Sequence, residues 1–238
     1  MDGITSASRL SAVDWDGLAA QLDERGYGTI KGLIGTKACA ELAALYDEKP
    51  RFRSRVVMER HAYGQGEYQY FAYPLPPAIT ELRAALYRGL SPVANAWARR
   101  LGGKAEYPAE LDAYLRRCHE AGQSRATPLL LRYEAGGYNC LHQDRYGALA
   151  FPLQATVLLS RPGADFTGGE FMLVEQRPRA QSRGEVVALG QGDAVIFPNA
   201  LRPVAGKRGD YRVNLRHGVS RVTTGRRSTL GVIFHDAE

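Results

Sequence analysis

His142 and Asp144 stand two residues apart in the run Leu141-His142-Gln143-Asp144, His217 follows Asp144 by 73 residues, and Arg227 lies ten residues beyond His217. Residues two apart on a strand point to the same face, so His142 and Asp144 can reach one point in space. Two neutral imidazoles and a carboxylate, with coordination positions left open, are the donor set that suits a non-haem Fe(II) centre working with dioxygen. Arg227 offers a planar fork for a carboxylate near that metal. The expected cosubstrate is therefore a dicarboxylate that chelates iron at one end and pairs with arginine at the other. Zinc could use the same three ligands, but Arg227 would then have no role.

Several neighbours compete for these roles. Arg226 adjoins Arg227, and strand alternation puts the two on opposite faces, only one of which can serve the site. Cys140 lies two residues before His142, where it reads either as a thiolate ligand or as a small buried hydrophobe. His235, at the end of the last apolar run, reads as structural, and His61 and His119 as surface residues.

The elements that must position these residues change character near Pro128. Before it, Asp14 can cap a helix through Leu22, Tyr27 to Leu33 alternates like a strand, and Thr36 can cap a second helix ending before Pro50. Residues 51–77 read as irregular, with Gly64, Gly66, Pro74, Pro76 and Pro77. Ile79 to Leu86, Val93 to Leu101 after Pro92, and Ala109 to Ala121 read as helical. From Pro128 onward come short runs punctuated by Gly, Pro, Asn and Asp: 129–133, 155–159, 169–175, 185–189, 194–197, 211–215 and 229–234. Such a series indicates a sandwich or barrel, and metal ligands on two separate strand regions suggest a jelly roll. The expected class is α+β: one domain over 1–238, with a mainly helical support at 1–127 and a jelly-roll core at 128–238.

Composition fits a globular enzyme: 238 residues, 45% hydrophobic and 24% charged. No apolar run approaches the length of a membrane span, and Met1-Asp2-Gly3-Ile4 lacks the basic and apolar regions of a secretory signal. Three cysteines without CxxC spacing argue against a disulfide framework, so the cytoplasm is the expected compartment. The net charge of +6 is concentrated: eight Lys/Arg against the single acid Asp210 between Arg202 and Arg227, and Arg51, Arg53, Arg55 and Arg60 in a second cluster. A basic patch of this kind suits nucleic acid or is simply a solvated face.

The ordered segments around the site carry a family resemblance. Arg132-Tyr133-Glu134-Ala135-Gly136, Leu141-His142-Gln143-Asp144, Gly168-Gly169-Glu170-Phe171, Gly190-Gln191-Gly192-Asp193 and His217 through Arg227 resemble the 2-oxoglutarate/Fe(II)-dependent oxygenase superfamily over about 128–235. The step from His217 to Arg227 is similar to the prolyl 4-hydroxylase branch, although those enzymes usually carry Lys at the position of Arg227. The His142-Gln143-Asp144 phrase is similar to the AlkB-type nucleic-acid demethylases, although those place Asn where this chain has Leu131. The wider chain, including Phe52 to Met58 and Gly66 to Pro76, resembles a bacterial oxygenase family linked to oxidative repair of damaged DNA. The resemblance implies a double-stranded β-helix with Fe(II) on His142, Asp144 and His217. It also implies 2-oxoglutarate on Arg227 with Tyr133 lining its pocket, dioxygen as co-reactant, and ascorbate as reductant.

For the substrate, the residues leave three readings open: alkylated DNA undergoing oxidative demethylation, a prolyl or other amino-acid side chain undergoing hydroxylation, or a non-enzymatic jelly-roll binding module. The run Tyr63, Tyr68, Tyr70, Phe71, Tyr73 beside arginines suits stacking on unpaired bases, with Tyr68, Tyr70, Arg53 and Arg55 as the expected contacts. A base within a duplex would have to be extruded to reach the metal.

Overall fold

The computed structural model describes residues 7–103, 106–144 and 147–238; Met1–Ile4, read above for a leader, lie outside that set. The chain opens with helices α1 (Ala7–Ser11) and α2 (Trp15–Arg25). The Asp14 side chain accepts from Gly17 N at 2.9 Å, and Gly26, at φ 82, closes α2 in the left-handed conformation. Strand β1 (Gly28–Ile30) is the centre of the alternating stretch. Helix α3 (Thr36–Ala44) begins where expected, but Gly35 is its cap and no side chain closes it.

Residues 51–77 depart from expectation. They contain β2 (Phe52–Val57), β3 (Gly64–Gln65) and β4 (Glu67–Phe71). Strand β2 alternates partly buried and exposed residues and forms the sheet edge, so its arginines face solvent and read in sequence as loop. Helix α4 (Pro77–Arg100) runs unbroken through Pro92, where two helices were expected. Pro92 cannot donate to the Arg88 carbonyl; the Ser91 hydroxyl donates to it instead, at 3.3 Å. The face of α4 carrying Ile79, Leu82, Leu86, Leu90, Ala94 and Trp97 is buried. Helix α5 (Leu111–Glu120) follows.

The seven expected runs then appear as strands, joined by β6, β8 and β12, which were not among them: β5 (Leu129–Glu134), β6 (Tyr138–His142), β7 (Leu153–Leu158), β8 (Phe166–Gly168), β9 (Phe171–Gln176), β10 (Arg183–Val187), β11 (Ala194–Pro198), β12 (Leu201–Gly206), β13 (Gly209–Val219) and β14 (Val222–Ile233). They form two antiparallel sheets, the α+β jelly roll expected from sequence. The larger has the order β1-β11-β7-β14-β5-β4-β2 with β8 on β14; the smaller is β10-β9-β13-β6-β3 with β12 on β13. Helices α2 to α5 and the larger sheet share one apolar cluster, including Leu22, Leu42, Leu86, Tyr87, Phe151 and Val232. Phe171, Leu173, Val195, Phe197, Val213 and Leu215 form a second cluster that draws on both sheets.

A charged knot ties α4 to the segment after β14. Arg83 and Asp236 pair at 2.8 Å with side chains 1% and 0% exposed. Arg83 also donates to the Ile233 carbonyl and the Tyr73 hydroxyl, while Tyr73 and His119 reach the other Asp236 oxygen, each at 2.8 Å. His119 is thus a surface residue as expected, but one with a buried partner. His235 is structural: burial pulls its pKa down to about 4, and the neutral ring accepts from Phe151 N.

Candidate metal and cosubstrate site

Strand pairing brings the trio together. His217 on β13 is the direct cross-strand partner of His142 on β6, so both imidazoles leave the smaller sheet on the same face. Asp144 lies just beyond β6. Its backbone N–H bonds the Asn199 carbonyl at 3.1 Å, and Gln143 Nε2 donates to the Ala200 and Leu215 carbonyls. These bonds fix the carboxylate's approach. One donor atom from each of the three residues lies within 4.8 Å of the others.

Asp144 Oδ2 lies 3.1 Å from His217 Nε2, and Oδ1 lies 3.6 Å from His142 Nε2. Ligands about 2.1 Å from a shared ion sit roughly 3.0–3.4 Å apart at octahedral to tetrahedral angles; the 3.1 Å pair falls in that range, and the 3.6 Å pair, to the other carboxylate oxygen, lies just beyond it. His142 Nδ1 bonds the Cys140 carbonyl at 2.8 Å, which assigns the proton to Nδ1 and leaves Nε2 as the donor. Burial and the neighbouring His217 push the His142 pKa down, favouring the neutral ligand form. Burial alone would raise Asp144, but His217, His142 and a 2.8 Å bond from Gln154 Nε2 hold it well below the usual carboxylate range. Phe171 and Phe197 flank the His217 ring.

The second half of the site is set by register on the larger sheet. Arg227 on β14 pairs with Tyr133 on β5, and Arg226 with Glu134. Arg227 and Tyr133 therefore point inward and are buried at 2% and 0% exposure, whereas Arg226 points out and bonds Glu134 at 2.7 Å. Alternation separates the two arginines as expected. The Nε and Nη1 atoms of Arg227 are buried with no hydrogen-bond partner. Burial pulls its pKa down to about 10, with Tyr133 and Glu170 opposing. The Tyr133 hydroxyl lies beside the Asn139 amide but makes no hydrogen bond within normal geometry, and burial pushes its pKa up to about 12.

Two glycines make room for this pair. A methyl group on Gly169, at φ +64, would stand 2.9 Å from Arg227 Cδ, and one on Gly66, at φ +145, would stand 2.8 Å from the Tyr133 ring. Both glycines occur in the quoted sequence phrases, but neither role is visible without the pairing.

One cavity of about 680 Å³ joins the trio to Arg227 and Tyr133. Tyr68 and Tyr70 line it, packed edge to face at 5.5 Å, and Tyr63 stands at its rim, half exposed. Tyr63 stacks on His61 and is the aromatic of this segment most open to a ligand. Arg53 lies over the Tyr70 ring at 4.6 Å and donates to the Ala126 carbonyl. Arg55 is engaged differently: it forks onto Glu67, with Nε to Oε2 at 2.9 Å. Cys140 lines the cavity, exposed rather than buried, and lies outside the converging metal-ligand group.

The family model described as "Oxygenase, catalysing oxidative methylation of damaged DNA" matches residues 66–237, which hold His142, Asp144, His217, Tyr133 and Arg227 but not the rim residue Tyr63. The chain belongs to this Oxygenase-NA family. The uncharacterized protein Rv2227 of Mycobacterium tuberculosis is 50% identical over 167 residues, covering 70% of this chain and 72% of its own; protein MT2286 of another strain matches equally. Among solved structures, a Pseudomonas putida prolyl-4-hydroxylase superposes with a TM-score of 0.55 at 13% identity, covering 91% of this chain and 96% of that one. A 2OG-Fe(II) oxygenase family oxidoreductase from Burkholderia pseudomallei gives 0.54 at 17%, covering 95% and 94%. At such identities the likeness is one of fold. The Oxygenase-NA member described here is thus an oxygenase built on the fold of the 2-oxoglutarate/Fe(II) enzymes. No helix among its described residues is long and apolar enough to cross a membrane.

Proposed function

We propose that this protein is a 2-oxoglutarate- and Fe(II)-dependent dioxygenase that oxidatively removes alkyl groups from damaged DNA. The observation that carries the reading is the buried Arg227 guanidinium, two of whose donors have no protein partner, in the same cavity as the His142, Asp144 and His217 donors. Buried donors of this kind call for a partner, and a carboxylate supplies it. His142, Asp144 and His217 hold Fe(II), and Arg227 with the Tyr133 hydroxyl holds the distal carboxylate of 2-oxoglutarate.

When bound, Fe(II) with 2-oxoglutarate and dioxygen supplies oxidation of a substrate C–H bond, yielding succinate and carbon dioxide. The chain's own contribution is positional. The cross-strand histidines and the pinned Asp144 would hold the metal with their donor atoms, which line the cavity. Arg227 fixes the cosubstrate's far end, and Phe171 and Phe197 crowd the His217 side against water. Tyr63, Tyr68 and Tyr70 offer aromatic surface to a base entering the cavity. Hydroxylation of an N-methyl group gives a carbinolamine that releases formaldehyde and the free base. Family membership favours this substrate over a prolyl side chain.

The test is formaldehyde release from N-methylated single-stranded oligonucleotides with Fe(II), ascorbate and 2-oxoglutarate. Succinate should form slowly without DNA, rise with the methylated strand, and cease with a chelator. Succinate with no formaldehyde from any methylated strand, but with hydroxylation of a proline peptide, would move the protein to the amino-acid hydroxylases.

Gln154 on β7 was not singled out from sequence. It is buried and donates to Asp144, so it orients a ligand without touching the metal. Loss of such a partner typically weakens metal affinity 10- to 100-fold. Gln154→Leu should raise the Fe(II) dissociation constant by about that factor, read by metal titration, with little change in the 2-oxoglutarate requirement at saturating iron.

A further inference from the structure

A linear sequence cannot separate paired arginines from open ones; the fold does so within the basic stretch 202–227. Arg202 is buried against Glu175 at 2.6 Å, Arg226 is paired with Glu134, Arg227 belongs to the cosubstrate pocket, and Arg221 donates to the Gly136 carbonyl. Arg212 and Arg216 differ. Both are exposed on β13 and no carboxylate pairs with either among the described residues; Arg212 makes one long bond, to the Leu101 carbonyl at 3.4 Å. The second cluster is largely spent: Arg51 is paired with Glu48, Arg55 with Glu67, and Arg53 is packed on Tyr70.

Arg212, Asn214 and Arg216 alternate with buried Val213, Leu215 and His217, so they share the outer face of the smaller sheet, opposite the metal side. Cross-strand register identifies their neighbours. Arg216 pairs with Val174, which pairs with Gly184; Asn214 pairs with Gln176 and Leu201. Met172 and Val186 complete the face, Val186 being 63% exposed. None of these positions is acidic. Asp210, farther along β13, is held by Arg100 at 2.8 Å. The face also meets the mouth of the cavity: Gln143, a cavity-lining residue between two of the metal ligands, lies 3.4 Å from the Asn214 side chain.

We propose that this outer face of β9 and β13, whose acid Asp210 is neutralised by Arg100, is the path of the DNA strand leaving the cavity, with Arg212 and Arg216 on its phosphates. The inference rests on the DNA reading above and adds where the strand runs. Four residues of strand separate the two arginines by roughly 13 Å, enough to engage separate phosphates. Val174 beside Arg216, and Met172 and Val186 beyond it, give the unstacked bases an apolar surface next to those charges. Charge complementarity selects this occupant: a polyanion gains from guanidinium groups that no carboxylate pairs with, the acid Asp210 on the same face being held by Arg100.

The experiment measures anisotropy of a fluorescein-labelled mixed-sequence single strand over a salt series. Arg212→Glu/Arg216→Glu should weaken binding about tenfold or more at low salt. The milder Arg212→Gln/Arg216→Gln pair should flatten the slope of log affinity against log salt by about 1.4, at ~0.7 per phosphate contact. Arg55→Gln should leave the slope unchanged. Thermal midpoints equal to the wild type exclude unfolding as the cause. Wild-type binding and formaldehyde release together with an unaltered slope in the Gln pair would overturn the path while leaving the DNA reading intact. No binding by the wild type at low salt would overturn both. A change in sedimentation of the Gln pair without a change in DNA affinity would make the face a contact between protein copies and overturn the path.

Discussion

Arg227→Ala is expected to raise the 2-oxoglutarate requirement by roughly 30- to 4000-fold, the equivalent of about 2–5 kcal/mol for losing one side of a buried charged hydrogen-bonding pair. The guanidinium is the buried cation of the cavity, and Nε and Nη1 have no competing protein acceptor. Its loss therefore falls on ligand binding rather than on a protein contact. The trio of metal ligands stands on other strands, so Fe(II) affinity should change little. Arg226→Ala is the control: an exposed pair with Glu134 is worth at most about 1 kcal/mol, and its removal should leave the requirement nearly unchanged. Initial rates of succinate formation over a 2-oxoglutarate series decide the matter. Equal effects from the two variants would remove the assignment of Arg227.

The largest effect on stability is expected at Asp236. Removing its carboxylate strands the Arg83 guanidinium in a site that excludes water, and breaking one side of a buried pair costs about 3–5 kcal/mol. For a chain of this size that corresponds to a fall of roughly 6–20 °C in Tm for Asp236→Ala. Arg83→Met combined with Asp236→Leu should recover much of the loss, because an apolar pair of similar volume avoids the desolvation cost of both charges. Urea unfolding of the single and double variants closes the cycle. A single variant as stable as the wild type would show that the knot does not hold α4 to the chain after β14.

The convergence of His142 and Asp144 was legible from their two-residue step, although β6 ends at His142 and it is the Asn199 carbonyl that holds the Asp144 backbone; His217, far away in sequence, came from the family pattern. Arg227 was legible for a related reason, since alternation forces a choice between it and Arg226, and the family spacing made that choice. The strand at 52–57 was hidden because an edge strand tolerates polar and charged residues, and that at 67–71, although interior, because the glycines and prolines around it read as loop. Pro92 misled for the opposite reason: a breaker in sequence was absorbed by tertiary packing of the long α4. The glycines at 66 and 169 matter through contacts with Tyr133 and Arg227, which lie far away in sequence. Charge runs showed where arginines were dense but not which had partners, and Arg55 with Glu67 is the clearest instance.

Strand β14 has a consequence for the order of assembly. In the larger sheet it lies between β7 and β5, and among the described strands it is the last to leave the ribosome. Until Val222–Ile233 emerges, the β1-β11-β7 and β5-β4-β2 halves have no shared strand, and Tyr133 has no cross-strand partner. The Arg227–Tyr133 end of the cavity is therefore a late product of synthesis, closed by the same strand that unites the sheet. A nascent chain halted before Val222 would carry both histidines and Asp144 yet lack the guanidinium, so metal capture could precede any capacity to use it.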